Sequence, residues 1–355
     1  MRKGHTMYTR GDAKVITEHK EELLRTVGLK KYFKIPGGKA TGIKKYLTTP
    51  TSSLHAVDDV DITILKQETL GVVGESGCGK STLGRAVLRL HEPTGGEVYF
   101  EGQNILKYNK QQMKELKKSM QIIFQDPFSS LNPRMTVGQL IANPMVIQGR
   151  VNPRDKDAIR KKVTEIMDVV GLAGRFQNSY PHELDGGRRQ RIGIARALSL
   201  QPKFIVCDEP VSALDVSIQA QILNLMQDLQ KDFGLTYLFI THDLSVVKHI
   251  CDNIVVMYLG KVVEQCPTKE VFQNPYHPYT QALLSAIPVP DPDFSMERII
   301  LKGELSSPIN PKPGCRFAVR CNYAKPECTE DDIPLVEVKP GHFVACVRAK
   351  EINNL

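Results

Sequence analysis

Residues 74–81 read Gly74-Glu75-Ser76-Gly77-Cys78-Gly79-Lys80-Ser81, directly after the apolar run Leu70-Gly71-Val72-Val73. A glycine, four residues and then Gly-Lys-Ser is the spacing of a loop that binds nucleotide triphosphates. The glycines let the backbone wrap so closely that successive N–H groups face phosphate oxygens, Lys80 adds a point charge, and Ser81 offers a hydroxyl to Mg²⁺. Thr82 follows in the first turn of the helix that must carry these groups. A second candidate pair closes another apolar run, Phe204-Ile205-Val206-Cys207, with Asp208-Glu209. At a strand's C-terminal edge an aspartate can support Mg²⁺ and a glutamate can polarise an attacking water, the two tasks of phosphoanhydride hydrolysis. Taken alone, the same pair reads equally well as the start of a helix.

The elements that position these groups are legible from pattern. A strand begins over Leu23–Phe33 and runs into a Lys/Gly-rich insertion at about 34–55; alternation predicts another strand over Val57–Leu65. Ser81–Leu90 reads as the helix behind the phosphate loop, His91–Gly96 as its break, and Val98–Phe100 as a short strand. From about 136 to 200, apolar residues such as Ile159, Val163, Ile166, Met167 and Val170 recur at helical spacing. Phe204–Cys207, Tyr237–Ile240 and Ile254–Met257 are continuous apolar runs of the kind buried on both faces of a parallel sheet. The fold class is therefore α/β. The expected organisation is a basic extension over 1–22, a nucleotide-binding domain over 23–287 with a helical subdomain at about 130–200, and a C-terminal extension over 288–355. The last boundary lies in Pro288-Val289-Pro290-Asp291-Pro292.

The chain has 355 residues, 41% of them apolar, enough for a large core. Its longest apolar stretches fall far short of the roughly 18 residues a membrane span needs. The N-terminus lacks the apolar stretch of a signal peptide, so the chain is expected on the side of the membrane that holds ATP. Residues 1–50 contain 12 Lys/Arg against 4 Asp/Glu, an excess equal to the whole formal charge of +8. That segment reads first as a solvated tail and second as a surface for anionic headgroups or an acidic partner. No basic and aromatic alternation continues into the folded part, so nucleic acid is not an expected partner.

Further motifs follow in a fixed order. They are Gln125 after Met120–Phe124, Leu184-Asp185-Gly186-Gly187-Arg188, Ser212-Ala213-Leu214-Asp215, and His242 after Tyr237–Thr241. Over about residues 23–265 this order resembles ATP-binding cassette ATPases. The resemblance implies a head-to-tail dimer in which each ATP lies between one subunit's phosphate loop and the other's signature loop. It implies that Phe33, or alternatively Tyr32, stacks on adenine, and that Lys80 holds the β- and γ-phosphates. Residues 74–82 would cradle the phosphates, Ser81 and Gln125 would ligate Mg²⁺ with Asp208 in support, Glu209 would be the catalytic carboxylate, and His242 would contact the γ-phosphate. Leu184, Asp185, Gly186 and Gly187 would face the opposite ATP, with Asp215 at the dimer seam.

Within that family the chain resembles the ATPases of oligopeptide and dipeptide importers. The likeness rests on the insertion after Phe33, the segment Gln125–Pro133, and Asn274-Pro275-Tyr276-His277-Pro278-Tyr279-Thr280. It implies a peripheral ATPase on the cytoplasmic face of the membrane, two permease subunits, an extracellular solute-binding protein and commonly a second, non-identical ATPase. Soluble cassette ATPases of translation or DNA repair are the competing class, but they typically carry two cassettes in one chain or a long coiled-coil insert, and this sequence has one cassette and neither. A P-loop kinase would need neither signature nor switch histidine. One departure stands out: Asp185 replaces the serine that donates to the opposite γ-phosphate, and a carboxylate there is repelled by phosphate unless it is protonated or turned away, with Arg188 offsetting the charge only in part. The site it completes is expected to be impaired.

Cys315, Cys321, Cys328 and Cys346 crowd the C-terminal extension. Four thiolates suit a [4Fe–4S] cluster or a structural Zn²⁺, and the close cysteine pairs usual for zinc are missing. Some peptide importer ATPases carry an iron–sulfur cluster in this tail, so the resemblance favours the cluster, with zinc as the alternative.

Overall fold

The computed structural model describes residues 21–35, 52–287, 298–303 and 307–355. The basic extension, most of the insertion after Phe33 and the proline-rich boundary at 288–292 lie outside the described residues. The described residues form two compact units: those within 1–63, 70–102 and 242–355 in one, those within 64–69 and 103–241 in the other.

The first unit holds the phosphate loop. Three antiparallel strands, Ser52–Val60, Glu22–Ile35 and Gly95–Phe100, pair in that order, with Phe33 opposite Leu54 and Leu24 opposite Phe100. A second set begins at Thr69–Val73, every residue of which is buried. It runs parallel to Asn253–Tyr258, which pairs antiparallel with Lys261–Pro267. The β-hairpin Val336–Lys339 and His342–Val344 continues this sheet from Lys261–Pro267, so the cysteine-bearing extension is hydrogen-bonded into the unit that carries the phosphate loop. Continuous apolar runs form the central strands because both faces are covered and no alternation is required.

In the second unit the parallel strands Met120–Ile123, Phe204–Asp208 and Thr236–Ile240 pair with Ile122 opposite Val206 and Cys207 opposite Phe239. Around them lie the helices Lys110–Ser119, Val137–Ile147, Lys156–Val169, Gly186–Leu198 and Val216–Phe233. Thr136 and Gln139 start the helix Val137–Ile147 with reciprocal side-chain hydrogen bonds, which satisfy two amides that a helix start leaves open. These helices bury an apolar face, such as Val163 and Met167 on Lys156–Val169. The architecture is α/β as expected from the sequence.

Candidate nucleotide site

The phosphate loop connects the strand Thr69–Val73 to the helix Lys80–Val87. Gly79 precedes the helix with φ 109°, and no side chain caps the helix start. A Cβ at Gly79 would stand 1.9 Å from the Ala56 carbonyl oxygen, so both backbone conformation and close approach demand glycine. The amides of the first turn thus face outward from a helix start with partial positive charge. Lys80 is nearly buried, and its Nζ donates to the carbonyls of Gly74 (2.8 Å) and Glu75 (3.0 Å), which hold the cation over the loop. Burial pushes the Cys78 thiol up, so it stays protonated and acts as packing.

Of the two expected adenine-stacking residues, Tyr32 has one face stacked on His55 at 3.8 Å, and its hydroxyl donates to Asp58. Burial and that hydrogen bond raise the Tyr32 phenol well above its ordinary range. Phe33 is half-buried, meets His91 edge-on at 5.7 Å and carries the Lys31 ammonium 4.9 Å from its ring centre. His242 is exposed at the start of the loop before helix Leu244–Ile250, whose first amides are capped by Asp243.

In the second unit, Asp208 is fully buried at the end of its strand and Glu209 follows it with φ 46°. That left-handed backbone in a non-glycine residue costs on the order of 1 kcal/mol and concentrates at functional positions. Hydrogen bonds to three neighbouring residues are among those that hold Glu209 there. Its amide donates to Ile240 O (2.9 Å), its carbonyl accepts from the Ser212 hydroxyl (3.1 Å), and its Oε2 accepts from Gln125 Nε2 (2.9 Å). The structure thus brings together Gln125 and Glu209, which lie 84 residues apart in sequence. Arg196 backs this loop by donating to Ser130 O at 2.6 Å.

The signature segment opens the helix Gly186–Leu198. Asp185 Oδ1 accepts the Arg188 amide at 2.8 Å, and Oδ2 pairs with the Arg188 guanidinium at 2.6 Å. The carboxylate therefore turns onto its own helix start and is neutralised there. Leu184 is buried. A Cβ on Gly187 would come within 2.7 Å of the Ile218 side chain, and one on Gly186 within 3.1 Å of Leu214. Asp215 is exposed before Val216–Phe233 and makes no side-chain cap.

The four C-terminal cysteines line one cavity of about 20 Å³. Burial pushes Cys315 up to about 12 and Cys346 up to about 11, and it raises Cys321 as well. The Cys321 sulfur accepts the Tyr323 amide at 3.4 Å. Among the described residues no three His, Cys, Asp or Glu side chains already stand at metal-holding distance. Four cysteines lining one cavity are the donor set that a thiolate centre would use, although a cavity of about 20 Å³ must widen to admit a cluster of iron and sulfide.

Several positions in the first unit carried no sequence signal. Glu264, fully buried, accepts the amides of Tyr276 (2.7 Å) and His277 (3.1 Å) and contacts His342 Nε2 at 2.7 Å. The Asn274–Thr280 motif is thereby seated on the sheet, and Tyr279 Oη accepts the Glu75 amide of the phosphate loop at 2.8 Å.

Solved structures with this architecture are ATP-binding cassettes. MJ0796, in a dimeric post-hydrolysis state with ADP and phosphate, superposes at a TM-score of 0.60 with 26% identity, covering 69% of this chain and 99% of that one. The cbiO1 protein of Clostridium perfringens, part of the ABC transporter complex cbiONQ, gives 0.58 and 29% over 72% of this chain and 92% of that one. The ABC transporter family profile matches residues 57–212, and that of the oligopeptide/dipeptide transporter C-terminal region matches 263–328. The oligopeptide transport ATP-binding protein AppF of Bacillus subtilis is 50% identical, covering 92% of this chain and 98% of its own length. OppF of Escherichia coli, with the same description, is 49% identical over 94% and 98%. The chain belongs to the ABC transporter ATPases, in the group that carries the oligopeptide/dipeptide transporter C-terminal region.

Proposed function

We propose that this ATPase energises import of oligopeptides or dipeptides through two permease subunits fed by an extracellular solute-binding protein, working peripherally on the cytoplasmic face of the membrane. The observation that carries this reading is near-full-length similarity to oligopeptide transport ATP-binding proteins, including the C-terminal region. No helix among the described residues is long and apolar enough to cross a membrane, so the reading needs separate permeases. Lys80 and the amides of residues 74–82 hold the ATP phosphates, Phe33 stacks on adenine, and Ser81 and Gln125 ligate Mg²⁺ with Asp208 in support. Glu209 polarises the attacking water and His242 contacts the γ-phosphate; Gln125 and the strained Glu209 backbone hold that carboxylate ready.

The partner ATPase is a different chain. Its signature completes this chain's ATP site, while Leu184–Gly187, with Asp185 already bound to Arg188, completes the partner's site less well. In vesicles containing the whole complex, ATP should drive uptake of a labelled tripeptide; uptake of another solute class and never of peptides would overturn the assignment. The four cysteines hold a [4Fe–4S] cluster. Anaerobic purification should yield about four irons per chain, with Cys321→Ser bleaching the visible absorbance. Stoichiometric zinc without iron would decide for the alternative.

A further inference from the structure

The turn Cys315–Cys321 touches the nucleotide-handling parts of its own unit at three successive points. Arg316 donates to Leu259 O and to Asp58, the carboxylate that also accepts the Tyr32 hydroxyl. Burial alone would raise the Asp58 carboxyl, but the Tyr32 hydrogen bond and the Arg316 charge hold it below its ordinary range. Gly260, next to Leu259, donates to Cys78 O of the phosphate loop at 2.7 Å. Phe317 is buried against Tyr258 (5.3 Å) and Tyr279 (5.4 Å), and Tyr279 receives the Glu75 amide. Arg320, finally, donates to Glu75 Oε2 at 2.8 Å and reaches the Tyr258 hydroxyl at 3.5 Å.

Glu75 is the one acidic residue in the loop Gly74–Ser81. An unpaired carboxylate in a cradle of amides meant for a polyanion repels the ligand and competes for the same donors. We propose that Arg320 is a positioning residue for ATP: it neutralises Glu75 and fixes the loop, with Arg316 bracing the Tyr32 wall from the same turn. The four-cysteine extension thus serves the nucleotide site directly. This inference rests on ATP binding at the phosphate loop and is independent of the transported solute and of the metal.

The test is the affinity of the purified full chain for a fluorescent ATP analogue. Arg320→Ala should raise Kd roughly tenfold, the loss of one charge-assisted contact. Arg320→Lys should recover most of it, and Glu75→Gln in the Arg320→Ala background should return Kd to within about twofold of the parent. A merely structural arginine would not be rescued by removing the opposite charge. An unchanged Kd in Arg320→Ala, or failure of Glu75→Gln to rescue it, overturns the proposal. Should Arg320→Ala not fold, Arg320→Gln with and without Glu75→Gln makes the same comparison; if neither of these folds, Arg320 serves stability alone and the proposal fails. Loss of analogue binding in Lys80→Ala is the control that the loop is the site being read.

Discussion

The helix Lys80–Val87 begins behind Gly79, which has no side chain to offer its amides, whereas Gly186–Leu198 begins behind Asp185, whose carboxylate accepts the Arg188 amide at 2.8 Å and its guanidinium at 2.6 Å. Both are helix starts rich in glycine, and both carry the partial positive charge that attracts anions. The first leaves its donors for an outside ligand. The second already supplies its own anion, so an incoming phosphate must compete with Asp185. The glycines also differ in kind. Gly79 is required by the backbone carbonyl of Ala56 and by its left-handed φ, while a Cβ on Gly187 would meet side chains, Ile218 nearest, so the first position is fixed by backbone and the second by side-chain packing.

The two helix starts differ most at Gly79. Gly79→Ala forces a Cβ against Ala56 O and a left-handed conformation on alanine, at a cost on the order of 4 kcal/mol. We expect no measurable binding of a fluorescent ATP analogue and a lowered melting temperature; normal binding would mean that the helix start need not be open.

A third helix start sharpens the contrast. Pro278–Ser285 is capped by His277, whose Nδ1 accepts the Tyr279 amide at 3.1 Å, a role open only to a neutral imidazole. Burial lowers its pKa from 6.5 to about 4, against the smaller opposing pull of Glu264. The unfolded chain takes up this proton before the folded one, so the stability is complete above pH 6.5 and is lost as pH falls through about 4. The loss reaches about 3 kcal/mol. Urea midpoints at pH 7 and 4 should show it in the parent and not in His277→Asn, which can still cap; parallel pH profiles would contradict the assignment.

At the signature helix the effect is smaller. Asp185→Ala should cost about 1 kcal/mol of stability and Asp185→Ser, which also caps, close to nothing. Equal melting temperatures for parent and Asp185→Ala would show that the carboxylate does not hold this end.

What the sequence made legible follows from range. The phosphate loop, the buried strands and the helical segment around 136–200 are written in spacing along a few turns, and the strand Glu22–Ile35 and helix Lys80–Val87 appear within a few residues of their expected limits. The Asp-Glu pair and Gln125 were legible only through the order of motifs, and the structure adds the bond between them. Nothing local announces Arg320 on Glu75, 245 residues away, or Arg316 on Asp58, 258 residues away. Such ion pairs have no period, and either arginine alone reads as one more solvated cation beside a cysteine. Asp185 is legible as a departure, with a turned-away carboxylate and Arg188 as the ways to relieve the repulsion; that the carboxylate does turn onto Arg188 is visible only once the helix is built.

An uncapped phosphate-loop helix and a self-capped signature helix on one chain underlie the proposal that it hydrolyses ATP at its own loop beside a different ATPase. The most direct test is ATP hydrolysis by the reconstituted complex with Glu209→Gln in this chain, compared with the equivalent carboxylate substitution in the partner. Glu209→Gln should lower turnover by at least about a hundredfold with ATP binding intact, while the partner substitution should cost only severalfold. Equal losses from the two substitutions, or full transport by this chain as a homodimer, would contradict it.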